Sequence, residues 1–252
     1  MLRTENSDMG RIPKRPKLNR RLRTCLEMAG TFTTFADIGA DHGYLSAVIL
    51  AENPDCRGIV SDISEKALSK AERCIREQEL NERALLYVAD GLKALRNAAF
   101  LPQVVFILGM GGDTISRILQ EDANLLHHAK LILSAHTEVE LLRRKLCALD
   151  YSITDERYVL DNHRGYVLIA AEIQAREKAA YSDKDLFLGP VLQKTGGDEW
   201  YARLARRADI LAMELEAMEK SGRMGDKASA YHRKKQEWIW INEALTERVQ
   251  KG

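Results

Sequence analysis

The chain has 252 residues, 45% hydrophobic and 30% charged, with a formal net charge of +1 at pH 7. That length suits one sizeable α/β core plus a smaller appendage, and the composition is that of a globular protein. No apolar run approaches the roughly 20 residues needed to cross a bilayer, and the N-terminal stretch lacks an apolar signal region, so a cytoplasmic protein without membrane contact is expected.

The chain opens on a basic stretch. Between residues 2 and 24 stand eight cations, Arg3, Arg11, Lys14, Arg15, Lys17, Arg20, Arg21 and Arg23, against Glu5 and Asp8. Such a run is either a field suited to phosphate or a solvated tail. From residue 32 to 173, short apolar or β-branched runs alternate with longer helix-like stretches, the pattern of βαβ units and a parallel sheet. Strands are expected at 34–38, 57–61, 85–89, 104–108 and 131–133, with helices starting near Gly43, Ser64, Asp113 and Thr137. Ser64 is a suitable N-cap with Glu65 in the first turn, and Glu138 and Glu140 follow Thr137 where a helix dipole favours acids. Residues 151–160 and 164–173 read as two strands joined by Asp161-Asn162-His163, an antiparallel hairpin that brings the strands to seven.

The pattern then changes. Residues 175–184 read as a linker, and from Leu186 onward helix formers replace strand signals. Leu204, Ala208, Leu211, Leu215 and Met218 recur at spacings of four and three, and Trp238, Ile241 and Leu245 form a second apolar stripe. Ser221-Gly222-Arg223-Met224-Gly225-Asp226 divides them, so an antiparallel helical hairpin is expected; a bundle packed flat on the main domain is the other reading. The expected organisation is a Rossmann-like α/β domain at 1–174, with a seven-stranded, mostly parallel sheet, and a helical coiled-coil domain at 175–252. Nothing in the sequence sets the oligomeric state, and a monomer is compatible with it.

Cys25, Cys56, Cys74 and Cys147 form no CxxC pair, and the adjacent His127 and His128 have no further ligand at metal spacing, so no metal is expected.

Three acidic positions carry the chemistry. Asp37-Ile38-Gly39 ends the first expected strand, and a helix follows from Gly43, a strand-turn-helix able to hold a nucleotide-like ligand at a sheet's C-terminal edge. A dinucleotide fingerprint needs glycines where this turn has Asp41 and Tyr44, which disfavours a nicotinamide oxidoreductase. A carboxylate there instead suits the ammonium and sulfonium of S-adenosylmethionine. Asp62 follows the second strand, where an acid can bind ribose hydroxyls. Asp90, after the third, can accept from an adenine amino group. A single acid after a strand is as readily a helix cap; three at corresponding strand ends are harder to read so. Gly109-Met110-Gly111-Gly112 after the fourth strand offers bare backbone against which a flat substrate can lie.

With these residues in view, the chain resembles the bacterial tRNA (adenine(22)-N1)-methyltransferases over nearly its whole length. Asn19-Arg20-Arg21-Leu22, ADIGADHGYL at 36–45, Ser61-Asp62-Ile63, Asp90-Gly91-Leu92, GMGG at 109–112 and Leu-Arg-Arg-Lys-Leu at 142–146 carry the resemblance. It implies a Rossmann-like domain with a helical coiled-coil domain, S-adenosylmethionine as cofactor, tRNA as partner, and methyl transfer to N1 of adenine. Arg21 and Asp41 are then expected in the catalytic region. The expected cofactor residues are Asp37, Gly39, Ala40, Asp41, His42, Gly43, Asp62, Ile63, Asp90, Gly91, Gly109, Met110 and Gly111. Asp41 either orients the adenine or takes up a proton, or serves the cofactor alone. Two departures stand out: Ser134-Ala135 where relatives have Gln-Pro, in a loop that faces the target base in this fold, and Asn162-His163-Arg164-Gly165 where they have an acidic-Gly-Lys turn. Methylation of another RNA base and a non-catalytic cofactor- or RNA-binding module are the alternatives. For RNA the appendage offers Arg203, Arg206, Arg207, Arg223, Lys227, Arg233, Lys234 and Lys235, or these are an ordinary solvated face.

Overall fold

A computed structural model describes residues 15–96, 98–173, 180–220 and 224–251. Arg3, Arg11, Lys14 and Arg223, with residues 175–179 of the expected linker, lie outside them. The end of the basic stretch, from Arg20, opens helix α1, Arg20–Ala29, where Asn19 caps the start by accepting from the Leu22 amide at 2.9 Å and Gly30 closes it at φ 75°. Cys25, Met28 and Ala29 are its buried face. Five strands then alternate with helices: β1 Thr34–Ile38, α2 Tyr44–Glu52, β2 Arg57–Asp62, α3 Glu65–Arg76, β3 Ala84–Val88, β4 Val104–Met110, α4 Gly112–Glu121, β5 Lys130–Ala135 and α5 Val139–Ala148. The hairpin β6 Tyr151–Asp161 and β7 Arg164–Ile173 completes the sheet.

The strand order is β3-β2-β1-β4-β5-β7-β6. β1 to β5 are parallel, whereas β7 runs antiparallel to both β5 and β6. The topological switch therefore falls between β1 and β4, where a crevice opens beyond the carboxyl ends of the strands.

Local chemistry accounts for most boundaries. Ser64 caps α3 as expected, its hydroxyl accepting from the Ala67 amide at 3.3 Å. α5 begins two residues past Thr137, because the Thr137 hydroxyl donates to the Glu138 carboxylate at 2.6 Å and Glu138 takes a left-handed φ of 48°. The hairpin turn is tighter than expected: Asn162 and His163, at φ 47° and 63°, form the two-residue turn alone, and Asp161 belongs to β6. β5 outruns the expected 131–133 because its ladder to β7 continues through Ser134 and Ala135. Within the expected linker, Ser182 and Asp185 form a capping box that starts α6, Asp183–Leu188.

After α7, Leu192–Thr195, come the long helices α8, Asp198–Lys220, and α9, Met224–Lys251. Met224, Gly225 and Asp226, expected in the break between the helices, are already helical. Leu204, Ala208, Leu211 and Leu215 form the buried seam of α8. Trp200, Leu204, Leu211, Ile241 and Ala244 share one apolar cluster with the sheet residues Val105, Leu133 and Ile169, so the base of the helical hairpin continues the main core. Leu215 and Tyr231, buried further along, stand outside that cluster. The opposite face of the sheet is covered by α1, α2 and α3, around Phe35 and Phe106. Among the described residues no helix is long and apolar enough to cross a membrane.

Candidate active site

The β1 turn is built by backbone. The Gly39 and Ala40 amides both donate to the Ser61 carbonyl, at 2.8 and 2.9 Å, tying the turn to β2. Gly39 takes φ 75°, the left-handed region that favours glycine, and a Cβ there would lie 2.2 Å from the Met110 methyl, which would have to swing aside. Beyond the turn lies a cavity of about 580 Å³. Of the expected cofactor residues, Asp37, Gly39, Ala40, Asp41, His42, Asp62, Ile63, Asp90, Gly91, Gly109 and Met110 line it, with Arg21 from α1. Gly43 and Gly111 do not. A Cβ on Gly43 would meet Ala71 of α3 at 2.7 Å, and one on Gly111 would face Thr137 and Glu138, so both glycines serve packing between elements.

The acids differ in state. Asp37 is 4% exposed and accepts from the Ser46 hydroxyl at 2.6 Å. Burial pushes its pKa up to about 6, with the Ser46 bond opposing the shift. Asp62 accepts from the Asp41 amide at 3.1 Å and the Ser64 amide at 2.8 Å, bracing the loop while leaving acceptor capacity on its carboxylate. Asp90 pairs with Lys93 at 3.0 Å, which holds its carboxyl below the usual range. Asp41 sits at φ 48° with its side chain 65% exposed. Its carboxylate meets His42 Nδ1 at 2.7 Å, while His42 Nε2 lies 3.4 Å from Lys70 Nζ and the imidazole stacks on Tyr44. With an ammonium on one side, Nε2 serves as acceptor and Nδ1 carries the proton towards Asp41.

Two further hollows adjoin. One, of about 430 Å³, shares Arg21 and Gly109 with the first and adds His136, Arg164, Gly165 and Tyr166. Arg21 crosses it, its guanidinium carbon 5.0 Å from the Tyr166 ring centroid and Nη1 donating to Ser134 Oγ at 3.4 Å. The departure at Ser134 thus lies behind this hollow, fully buried and bonded to the Arg21 that lines it. A third hollow, a groove of about 1000 Å³ that shares His136 and Gly165 with the second, runs between the β6–β7 hairpin and α8–α9.

The basic residues of α1 and the appendage are unequal. Arg20 pairs with Glu199 and Arg23 with Glu52. Arg207 pairs with Glu237, Arg233 with Glu237 and Lys234 with Glu214, while Lys235 lies over Tyr231. Arg203 and Arg206, in the groove, have no carboxylate partner among the described residues; Arg203 lies over Tyr158 and Trp200, and although it reaches solvent, the enclosing walls lower its pKa. Thr114 and Arg117 also line this cavity without having stood out in the sequence, since each reads there as an ordinary helix residue; Tyr44, noted there only for standing in place of a glycine, lines it too. Among the described residues no cluster of three His, Cys, Asp or Glu is placed to hold a metal ion.

This strand order, with a nucleoside-sized cavity at the β1/β4 switch and acids at the carboxyl ends of β1 and β2 and just past β3, defines the Rossmann-like S-adenosylmethionine-dependent methyltransferase class. The profile of the tRNA (adenine(22)-N(1))-methyltransferase family matches residues 35–236, and the chain belongs to that family. A tRNA methyltransferase candidate from Mycoplasma pneumoniae is 32% identical over 158 residues, 63% of this chain and 72% of the relative. The structure of the B. subtilis M1A22 tRNA methyltransferase TrmK superposes with a TM-score of 0.82 at 21% identity, covering 91% of this chain and 99% of that one. A tRNA (m1A22) methyltransferase candidate from Streptococcus pneumoniae, in complex with S-adenosyl-L-methionine, gives a TM-score of 0.78 at 23% identity, over 91% and 100% of the two chains. At these identities the solved structures speak for the fold.

Proposed function

We propose that this chain methylates N1 of adenine 22 of tRNA with S-adenosylmethionine held in the cavity at the β1/β4 switch. The observation that carries the reading is the set of acids at the carboxyl ends of β1 and β2 and just past β3, around one cavity. The donor set fits a cationic nucleoside: Asp62 for the ribose hydroxyls, Asp90 for the adenine amino group, and buried Asp37 as countercharge to the ammonium. When bound, the cofactor supplies an electrophilic methyl group on a sulfonium.

The chain's own task is to position and to exclude water, as an in-line displacement requires neither a metal nor a covalent nucleophile. Gly109 leaves the wall between cavity and hollow without a side chain. Asp41, held by His42 at the mouth, orients the adenine through its exposed carboxylate, and Arg21 holds substrate or an RNA phosphate. The groove is the best-supported tRNA contact, because Arg203, over the Tyr158 and Trp200 rings, and Arg206 nearby have no carboxylate partner among the described residues. The main domain at 1–174 then carries the chemistry and the helices at 175–252 the RNA.

Labelled cofactor with total bacterial tRNA, followed by nucleoside mapping, is expected to place the label in N1-methyladenosine at position 22. A label on another base, or none, sinks the reading. In the same assay Asp41→Asn is expected to lower turnover roughly 10- to 100-fold at unchanged cofactor affinity, the scale of one hydrogen bond to a charged group. Full turnover would leave Asp41 with the cofactor alone.

A further inference from the structure

We infer that the hollow beside the cofactor cavity is the slot for the target adenine, and that Tyr166 is the ring on which the base stacks. The inference rests on the methyltransferase reading above and adds a residue and a substrate pose to it.

Position comes first. Arg21 and Gly109 line both the slot and the cofactor cavity, so a base in the slot faces the methyl donor across bare glycine backbone. Tyr166 stands near the start of β7, the antiparallel strand that begins at the edge where the parallel strands end, and it pairs with Val159 of β6. Its half-buried ring is therefore carried on a strand bonded on both sides, a rigid platform.

Chemistry comes second. In the ligand-free chain a planar π-cation already lies over this ring, the Arg21 guanidinium at 5.0 Å, tethered by a 3.4 Å bond to Ser134 at the long end of hydrogen bonding. A purine stacked on an aromatic side chain gains more than one cation–π contact at a half-exposed site, so adenine displaces the guanidinium. Arg164, also on the slot and without a carboxylate partner among the described residues, waits beside it for phosphate.

Charge comes third. In the transfer the N1 lone pair forms the new N–C bond while the S–C bond breaks and its electron pair stays on sulfur. The positive charge moves from the sulfonium to the base, and no proton need leave. A neutral adenine replaces Arg21 over Tyr166 without electrostatic penalty; a methylated, cationic adenine competes with a returning guanidinium for the same ring. Arg21 thus holds the slot when it is empty and drives product from it.

Two measurements on the full chain test this. Tyr166→Leu is expected to raise the KM for tRNA about 10- to 100-fold, with unchanged S-adenosylhomocysteine affinity by calorimetry and an unchanged melting profile, and Tyr166→Phe to recover the KM. The second is a photocrosslink from a tRNA transcript carrying 8-azidoadenosine at position 22, which is expected to land in the β7 peptide that contains Tyr166. Unchanged KM in a folded Tyr166→Leu, or a crosslink confined to other elements, overturns the slot. A wild-type chain that crosslinks at β7 yet transfers no methyl group overturns the function reading and leaves the slot standing.

Discussion

Asp37 is an acid whose burial and proposed task pull in opposite directions. Without a ligand it titrates near about 6, raised by burial. An ammonium beside it stabilises the anion and lowers the bound-state value, so cofactor binding expels a proton between the two values. Affinity is therefore greatest above about 6 and falls as the pH drops through it, by at most about tenfold per pH unit. Calorimetry between pH 5 and 7 is expected to show that slope in the wild type and a flat profile in Asp37→Asn; a wild-type affinity that rises on acidification removes the countercharge role. The same shift opposes folding: the folded chain binds the proton more tightly than the unfolded one, so the penalty is absent below the unfolded pKa and complete above about 6. Asp37, Asp62 and Asp90 were legible because each follows a short apolar run. Tyr166 was not, since in its own strand it is an ordinary β-former; its partner Arg21 comes from α1 and Arg21's own partner Ser134 from β5, and no local spacing announces such a meeting.

The elements are fastened by a buried pair. Arg143 of α5 and Glu156 of β6 are both 1% exposed and meet at 2.7 Å. Arg143 also donates to the Leu186 and Phe187 carbonyls that end α6, and Glu156 accepts from the Val191 and Leu192 amides that begin α7. One pair thereby satisfies backbone groups of both short helices. Arg143→Met strands the carboxylate, and a loss of about 3–5 kcal/mol is expected in urea unfolding; a loss under about 1 kcal/mol would mean that α6 and α7 dock by apolar contact alone. None of this was readable in residues 142–146, whose helical spacing foretold α5 but not its purpose. α1 was hidden for a related reason. Its apolar face, Cys25 and Met28, lies beneath a basic run that reads equally well as a tail, and burial against β5, β6 and β7 decides the matter.

At the scale of the molecule, electrostatics is a matter of which charges remain free. Net charge is only +1, and Arg207, Arg233 and Lys234 of the appendage are spent on nearby acids. Arg203 and Arg206 are not, so tRNA affinity is expected to fall with salt, and each alanine substitution to reduce the log–log slope by about one. Arg233→Ala, on a paired cation, is expected to change it little. Equal slopes for all three variants would show that RNA avoids the groove. The helical seam was legible from its heptad spacing, but not the continuity of its base with the sheet core, because Trp200 and Ile241 carry the same apolar signal whichever surface covers them.

The arginines of α1 have a consequence for how the chain is made. Arg23 finds Glu52 after 29 residues, Arg21 finds Ser134 after 113, and Arg20 finds Glu199 only after 179. Helix α1 thus waits for partners that follow it by up to 179 residues. A nascent chain that ends before β5 already contains the DIG turn and its acids, yet it has neither Ser134 nor Tyr166 to form the wall beside Arg21. The closure of that wall is a long-range event, slow by topology, and the place where RNA is received forms only once β7 has been made.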